Sequence, residues 1–294
     1  MRSINRRVAV AALAALGAVG AQAQQAYEPQ RGQIGKDVMW LPTPNLAVTR
    51  MLQMAEVKPS DRVVDLGSGD GKIPIAAARE FGATARGLEF NPKLVAYSKA
   101  AAQQAGVADR VRFEEADIFA ADFREAQVVT MYLLPELNLK LRPTLLAMKP
   151  GTRVVSNTFT MGEWTPDEAA HVGSTHLMLW HVPANVSGDW SLTLDGQAVA
   201  LNLSQHFQVL TGEARFTGVT AGLIEPQLRG DHLRFGLRNA QGQRLAFDGR
   251  VQGNRIEGQV TQGSQVTRFT ATRQGGQTDV SQAPPVAPPL VMTE

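Results

Sequence analysis

The stretch from Arg62 to Ile73, with the sequence RVVDLGSGDGKI, limits the fold more than any other part of the chain. Val63, Val64 and Leu66 form a short apolar run, which a parallel strand needs when helices cover both of its faces. The glycines that follow allow positive φ angles and let a ligand approach the backbone closely. Because helical spacing begins at Ile73, the stretch predicts a ligand site at the N-terminus of a helix.

The spacing of these glycines separates two classes of cofactor. Gly67, Gly69 and Gly71 form the pattern G-x-G-x-G, whereas the dinucleotide fingerprint is G-x-G-x-x-G and needs a glycine where Lys72 stands. Asp65 precedes the first glycine by two residues. S-adenosylmethionine carries an ammonium group that such a carboxylate can hold, directly or through water, and NAD carries no such cation. The pattern therefore favours S-adenosylmethionine over a dinucleotide.

A second acidic residue ends the second predicted strand. Glu89 lies twenty residues after Gly69, where a carboxylate can accept hydrogen bonds from both hydroxyls of a ribose, and this suits either cofactor. Between Asn45 and Val182 helical and extended patterns alternate, which predicts a βαβ sheet. The predicted helices are 45–57, 73–81, 92–105 and 136–148, and the predicted strands are 63–66, 85–88, 111–114, 128–132, 152–156 and 176–182.

Together these residues resemble the class I S-adenosylmethionine-dependent methyltransferases. The resemblance rests on Asp65 with its three glycines, on Glu89, and on Asp117 with Ile118 after the third strand. In that family the three sites hold the methionine moiety, the ribose and the adenine amino group. An N-cap is the alternative function of Asp117. The resemblance implies a Rossmann-like sheet that binds S-adenosyl-L-methionine through these residues: Asp65, Gly67, Ser68, Gly69, Gly71, Glu89, Asp117 and Ile118.

Two further segments, WLPTP at 40–44 and YLLP at 132–135, narrow the resemblance. With them the region from Val38 to Val182 is similar to the protein-lysine methyltransferases of the mitochondrial inner membrane and their bacterial relatives. This implies a protein partner whose lysine side chain accepts the methyl group. Trp40 and Thr43 either form part of a lid on the substrate or brace the start of the first helix through the adjoining prolines.

Tyr132 is the candidate catalytic residue, because it stands at the end of the fourth strand, beside the predicted cofactor site. A lysine acceptor must lose a proton from a group with a pKa of about 10.4, so a desolvating pocket with a phenol or carbonyl acceptor helps. The alternative for Tyr132 is a core tyrosine that caps the strand. The alternative for the whole chain is an exported binding or scaffold protein on a methyltransferase fold, without catalysis.

Residues 1–23 have the three parts of a secretory signal. Three arginines precede an apolar run from Val8 to Ala21, and a cleavage site follows that ends at Ala23. An uncleaved anchor is the weaker alternative, since fourteen apolar residues fall short of the ~20 that span a bilayer. We therefore expect a periplasmic or secreted protein with no stable membrane span after cleavage. Because S-adenosylmethionine is made in the cytosol, export requires imported cofactor, a retained anchor or a different ligand.

Charge and composition exclude several classes of function. Loss of the three signal arginines changes the formal net charge from +2 to −1, so the mature chain lacks the excess positive charge that a nucleic-acid partner requires. The absence of cysteine excludes disulfides and zinc thiolate sites. The five histidines show no H-x-x-x-H spacing, and no metal site is predicted.

From Gly188 onward short alternating strands replace the helical patterns. The segment LRGDHL at 228–233 recurs as VQGNRI at 251–256, which indicates a repeated hairpin turn and favours a small antiparallel barrel or sandwich. The predicted strands are 190–194, 198–203, 207–210, 213–217, 233–237, 244–251, 255–260 and 266–272.

The chain therefore divides into five predicted regions, with residues 183–187 as the linker between its two folded parts. They are a signal peptide at 1–23, an N-terminal lead-in at 24–37, a methyltransferase domain at 38–183, an all-β domain at 184–273 and a disordered, proline-rich tail at 274–294.

Overall fold

The structure, a computed structural model, describes residues 27–282. The predicted signal peptide at 1–23 and the last part of the predicted tail, residues 283–294, lie outside the described residues. Between residues 27 and 282 there is no helix with the length and apolar character needed to cross a membrane.

Residues 27–181 form four helices and seven strands, and their alternation confirms the predicted βαβ pattern. They are α1 (Asn45–Met54), β1 (Arg62–Leu66), α2 (Lys72–Phe81), β2 (Thr84–Glu89), α3 (Pro92–Gln104), β3 (Val111–Glu115), β4 (Val128–Met131), α4 (Pro135–Leu146), β5 (Arg153–Asn157), β6 (Glu168–Val172) and β7 (Thr175–His181). The sequence does not predict β6, because its side chains are mostly exposed at the sheet edge and carry no apolar pattern.

Local sequence signals explain where the helices begin and end. Asn91 precedes α3, and its side chain accepts a hydrogen bond from the backbone N–H of Lys93 at 3.0 Å. Pro92 occupies the first turn, where no backbone N–H is needed. Gly82 ends α2 with φ of 71°, a conformation that glycine adopts without strain.

The seven strands form one sheet in the order β3-β2-β1-β4-β5-β7-β6. The first five strands are parallel, and β7 pairs antiparallel with β5. The direction of winding reverses between β1 and β4, and in open α/β sheets ligands bind at the carboxyl ends of strands at such a switch point. Apolar clusters that include Leu52 and Val63 on one face, and Leu66 and Leu145 on the other, cover both faces of the sheet.

Residues 188–275 form a second, antiparallel sheet of nine strands around its own apolar core. They are β8 (Gly188–Leu194), β9 (Gln197–His206), β10 (Val209–Phe216), β11 (Val219–Gly222), β12 (Ile224–Arg229), β13 (His232–Arg238), β14 (Arg244–Gln252), β15 (Arg255–Gln262) and β16 (Gln265–Gly275). Strand β10, next to the end strand β11, lies against β12 at the other end of the sheet. The sheet is therefore nearly closed into a barrel, which confirms the predicted architecture.

Three details of the barrel differ from the sequence prediction. The sequence analysis did not predict the strands β11 and β12. Strand β11 has no buried residue. Strand β12 contains Pro226 and a register shift between Ile224 and Gln227, and both features weaken a strand pattern. The sequence also predicts that Phe207 begins a strand. Phe207 lies instead in the hairpin turn between β9 and β10, with φ of 52°. Turns rarely contain phenylalanine, and here the side chain is buried in the core, at 2% exposed.

The predicted linker 183–187 is mostly buried and joins the two sheets through fixed contacts. The side chain of Gln205 accepts from Val186 N at 2.7 Å and donates to Ala184 O at 2.9 Å. Ala184 N in turn donates to Gly230 O at 2.8 Å. Beside this segment the buried ring of Phe207 stacks on that of Trp164, with ring centroids 6.0 Å apart. Backbone groups that pair with distant residues make this segment part of the core.

The predicted disorder from Gln274 onward is wrong for residues 274–282. Strand β16 continues to Gly275, Thr278 N donates to Ser187 Oγ at 2.9 Å, and Phe207 N donates to Val280 O at 2.7 Å. Sequence composition does not indicate this order, because these partners lie some 70 to 90 residues away in the chain.

Candidate active site

A cavity opens at the carboxyl ends of β1, β2 and β4, at the switch point of the parallel sheet. Every residue that the sequence analysis assigned to the cofactor, apart from Gly71, lines it, and so does Tyr132. The structure thus brings together residues that span 68 positions of the chain, from Asp65 to Tyr132.

The glycine loop after β1 can be formed only by glycine at two of its positions. Gly69 has φ of +52°, and a Cβ there would lie 2.3 Å from Nε1 of Trp40. Gly71 has φ of +79°, and its Cβ would lie 2.6 Å from the ring of Phe113. Both φ angles strain other residue types, and both contacts are closer than atoms can approach. The loop therefore presents bare backbone to the cavity, with Gly71 beneath it.

Glu89 has a structural function that sequence reasoning missed. One carboxylate oxygen accepts from Gly69 N at 3.0 Å, and the other accepts from Asn91 N at 2.8 Å. Ser98 on α3 supports the same loop, because its Oγ donates to Gly69 O at 2.8 Å. The carboxylate at the end of β2 is therefore held in place beside the glycine loop before any ligand arrives.

Asp65 is a buried carboxylic acid at the end of β1, only 3% exposed. Burial is the main cause that raises its pKa to about 7; the hydrogen bond from Thr130 opposes the rise, and the charges of Asp70 and Glu89 add to it. Thr130 Oγ1 donates to Asp65 Oδ1 at 2.7 Å. Sequence reasoning missed Thr130, although a polar residue inside the apolar strand VVTM was a visible signal. A positive charge beside such a buried carboxyl stabilises its ionised form, so this environment favours a cationic ligand.

Asp117 lies in the loop after β3 and makes two local contacts. Its Oδ1 accepts from Phe119 N at 2.9 Å, as a capping residue does, and its Oδ2 pairs with Lys36 Nζ at 2.8 Å. The hydrogen bond from Lys36 lowers the pKa of Asp117. The neighbouring Ile118 is half-buried and lines the cavity. The cap geometry and the cavity position occur together, so the two functions considered for Asp117 are compatible.

Ser68 supplies a test of whether these residues fit S-adenosylmethionine. Its Oγ is buried and has no hydrogen-bond partner among the described residues, which buried hydroxyls rarely lack. It lies in the chain between β1, which contains the buried acid Asp65, and Gly69. An acid for an ammonium group, a free hydroxyl and a fixed carboxylate at Glu89 match the donors and acceptors of this cofactor, and the residues present fit it.

The lead-in and the WLPTP segment cover the cavity. Trp40 lies over the glycine loop, and Trp40 N donates to Gln33 O at 2.9 Å, which folds the segment back on itself. Thr43 is 7% exposed and accepts from Asn157 Nδ2 at 3.3 Å. Of the two functions considered for this motif, Trp40 therefore has the position of a lid residue and Thr43 that of a brace.

Tyr132 follows β4 and lines two adjoining spaces. One is the cavity above the glycine loop, and the other is a groove of about 390 Å³ bordered by Met39 and Phe159. Its ring stacks on Phe159 with centroids 6.2 Å apart and planes 28° apart. Tyr132 is half-buried, so it stands at the junction of the two spaces rather than inside the core.

Comparison with known proteins relates the part of the chain that contains this site to methyltransferases. The family described as "ANTKMT methyltransferase domain" matches residues 65–168. The chain is 42% identical over 137 residues to a protein-lysine N-methyltransferase of Saccharolobus islandicus, a match that covers 46% of this chain and 85% of that protein.

Two further comparisons match about the same half of the chain. The adenine nucleotide translocase lysine N-methyltransferase of Mus musculus is 34% identical over 142 residues, which are 48% of this chain and 61% of that protein. A crystal structure described as an RNA methyltransferase from Salinibacter ruber with S-adenosyl-L-homocysteine is 48% identical, over 50% of this chain and 96% of that one, with a TM-score of 0.49.

These matches decide between the two classes of function considered from the sequence. A scaffold without catalysis is not supported, because the archaeal relative is an enzyme that matches over most of its length. The glycine loop, the buried acid and the order of the strands agree with that relationship. This chain belongs to the class I S-adenosylmethionine-dependent methyltransferases.

Proposed function

We propose that this protein is a protein-lysine N-methyltransferase. The observation that carries the proposal is the position of Tyr132, which lines both the cofactor cavity and an adjoining apolar groove. A side chain that enters from the groove meets the cavity beside a phenol. Relatives that are named lysine N-methyltransferases support lysine as that side chain.

In this proposal four groups hold the cofactor. Asp65 pairs with the methionine ammonium, Glu89 accepts hydrogen bonds from the ribose hydroxyls, and Asp117 accepts one from the adenine amino group. The backbone of 67–70, with Ser68, lies along the remainder. Asp117 pairs with Lys36 in this structure, and we expect the adenine amino group to compete with Lys36 for it, so that the lead-in moves when the cofactor binds.

The chain's own residues align the acceptor and exclude water. When bound, S-adenosylmethionine would supply the methyl group, carried on a sulfonium, to the neutral Nζ of the acceptor lysine and would leave as S-adenosylhomocysteine. The lysine would first release its ammonium proton to solvent. The apolar groove favours the neutral amine by desolvation. The hydroxyl of Tyr132 accepts a hydrogen bond from the amine N–H and orients the lone pair. Such alignment contributes roughly 7 to 11 kcal/mol in well-oriented systems.

The test uses residues 24–294, S-adenosylmethionine with an isotopically labelled methyl group, and a peptide library with a central lysine. The control library carries arginine at the same position. We expect label on the central lysine and none in the control. If the protein binds S-adenosylmethionine but labels no lysine in peptides or intact proteins, the assignment to lysine is wrong.

We also propose that residues 1–23 direct export and that cleavage follows Ala23, because these residues combine a basic start, an apolar run and a small-residue cleavage site. Mass spectrometry of the protein from a periplasmic extract should find Gln24 as the first residue. A mature chain that still begins at Met1 would contradict cleavage and favour a retained anchor.

A further inference from the structure

The loop after β5 has a backbone conformation that its sequence does not favour. Thr158 has φ of +70° and an exposed side chain. A β-branched residue rarely adopts this region, and conformations of this kind persist only where surrounding contacts enforce them. They concentrate at functional sites, so the contacts that enforce this one indicate what the loop does.

Thr158 N donates to His176 O at 2.6 Å, and Asn138 on α4 bonds the two residues that follow. Asn138 is fully buried, and its Nδ2 lies 3.2 Å from Phe159 O and 3.2 Å from Thr160 O. Ser156 Oγ also donates to Phe159 O, at 2.6 Å. The opposite amide orientation would place Oδ1 against two carbonyl oxygens, so the hydrogen bonds settle which way the amide points. A buried amide on a helix is costly unless it is bonded. Here the Nδ2 bonds hold the loop, while Oδ1 has no hydrogen-bond partner among the described residues.

The result of these contacts is the position of the Phe159 ring. The ring is half-buried and stacks on Tyr132 with centroids 6.2 Å apart. Both rings line the groove, whose other walls include Ile34, Met39 and Leu134. Ile34 and Met39 are 87% and 63% exposed. Phe159 therefore lies on the path by which a side chain reaches Tyr132 from solvent.

We propose that Phe159 determines acceptor specificity, with Asn138 as its positioning residue. The Phe159 ring packs against the alkyl stem of the acceptor lysine, so that an amine at the end of four methylenes reaches the hydroxyl of Tyr132. This proposal rests on the proposed lysine methylation. A long apolar stem with a polar end suits a groove whose walls are mostly apolar, with Lys36 and Asp37 also on its lining, and which meets the phenol of Tyr132 where it joins the cofactor cavity.

The test compares a lysine peptide with an ornithine peptide, which is shorter by one methylene. One methylene in an apolar site typically changes kcat/KM by about 10- to 200-fold, so wild type should prefer lysine by at least about tenfold. Phe159→Ala should raise KM for lysine and reduce this preference, with unchanged affinity for S-adenosylmethionine. Phe159→Leu, which keeps an apolar contact, should restore part of the preference.

Two loop variants test the positioning function of Asn138. Asn138→Ala should lower the preference for lysine in the same way as Phe159→Ala. Thr158→Gly keeps the fold, because glycine adopts a φ of +70° without strain, but it loosens the loop and should also raise KM. A thermal transition for Thr158→Gly at or above that of wild type shows that any kinetic change is not a loss of fold.

Each result decides between the two proposals. If wild type methylates lysine and Phe159→Ala leaves both KM and the preference for lysine unchanged, the function proposed for Phe159 is wrong and lysine methylation stands. If wild type binds S-adenosylmethionine and methylates no lysine, both proposals are overturned.

Discussion

We propose that Asp65 couples cofactor binding to pH. Its pKa is about 7 in the folded protein without a cation beside it, against an ordinary value of 3.8. Below pH 7 the free protein therefore holds a proton at Asp65, and a cationic ligand has to displace it. Above pH 7 the carboxylate is already charged, and no proton is released.

We therefore expect affinity for S-adenosylmethionine to rise with pH up to about 7 and then to level off, with a slope approaching about tenfold per pH unit in the acidic range. Calorimetry in two buffers of different ionisation enthalpy should detect a released proton at pH 6 and almost none at pH 8. Asp65→Asn should bind more weakly and without this pH dependence. Constant affinity from pH 5.5 to 8 in wild type contradicts the pairing of Asp65 with the ammonium.

Gly69 and Glu89 should both be required for cofactor affinity. Gly69→Ala places a methyl group against Trp40, and Glu89→Ala removes the proposed ribose acceptor and the bond that holds Gly69 N. A hydrogen bond to a charged group contributes ~1.5 to 3 kcal/mol, so Glu89→Ala should weaken binding roughly ten- to hundredfold. Glu115→Ala, at the exposed end of the neighbouring β3, is the matched control and should bind normally.

Tyr132→Phe should separate the effect on methyl transfer to the acceptor from the effect on cofactor affinity. Loss of the phenol oxygen leaves the stacking on Phe159 intact, so affinity for S-adenosylmethionine should not change. Methyl transfer to lysine should fall by the value of one hydrogen bond, ~0.5 to 1.5 kcal/mol, and the decrease should appear in kcat. Tyr97→Phe on α3 is the control. Equal turnover by wild type and Tyr132→Phe shows that Tyr132 is structural.

We expect the segment of residues 33–41, which joins the lead-in to the WLPTP segment, to respond to the cofactor. It contacts the glycine loop through Trp40 and Asp117 through Lys36, and both contacts lie where the cofactor is proposed to bind. The position of this segment over the cavity therefore depends on side-chain contacts more than on regular secondary structure. A segment attached in this way can move without disturbing the sheet.

Trp40 offers a direct signal for this movement. The other three tryptophans, Trp164, Trp180 and Trp190, are at most 1% exposed in the two cores. Addition of S-adenosylhomocysteine should change tryptophan fluorescence, and Trp40→Phe should abolish the change. A full signal in Trp40→Phe shows that the segment does not respond to the cofactor site.

The two folded parts of the molecule meet at a buried interface. Phe207 from the barrel is 2% exposed, stacks on Trp164 of the first domain, and lies beneath the guanidinium of Arg142. The buried segment 183–187 adds backbone hydrogen bonds at the same junction. These contacts predict that the domains unfold together.

Phe207→Ala should uncouple them. Removal of a buried phenylalanine typically costs about 3 to 5 kcal/mol, so the thermal transition should fall and separate into two steps. Val209→Ala, 58% exposed at the start of β10, is the control and should leave a single transition. A single, unshifted transition in Phe207→Ala contradicts the coupling.

The sequence was sufficient for features that depend on neighbouring residues. Helical and alternating apolar periods predicted most helices and strands, the G-x-G-x-G pattern marked the loop at 67–71, and short strands with glycine turns predicted the antiparallel barrel. These features follow from local backbone geometry and from side-chain direction, which repeat at short spacing along the chain. The missed strands, β6, β11 and β12, have few buried side chains and so carry no such pattern.

Only the tertiary structure decided which distant residues meet. Thr130 bonds Asp65 across 65 positions, Lys36 pairs with Asp117 across 81, and Asn138 holds the loop at Thr158 from a helix. Their residue types are ordinary at those positions, and their function comes from partners that packing places beside them. The sequence by itself determined the local elements and the glycine loop, because short-range geometry specifies both. The bond that holds Asp65, the position of Trp40 over the glycine loop and the position of the Phe159 ring depend on long-range contacts that no local pattern records.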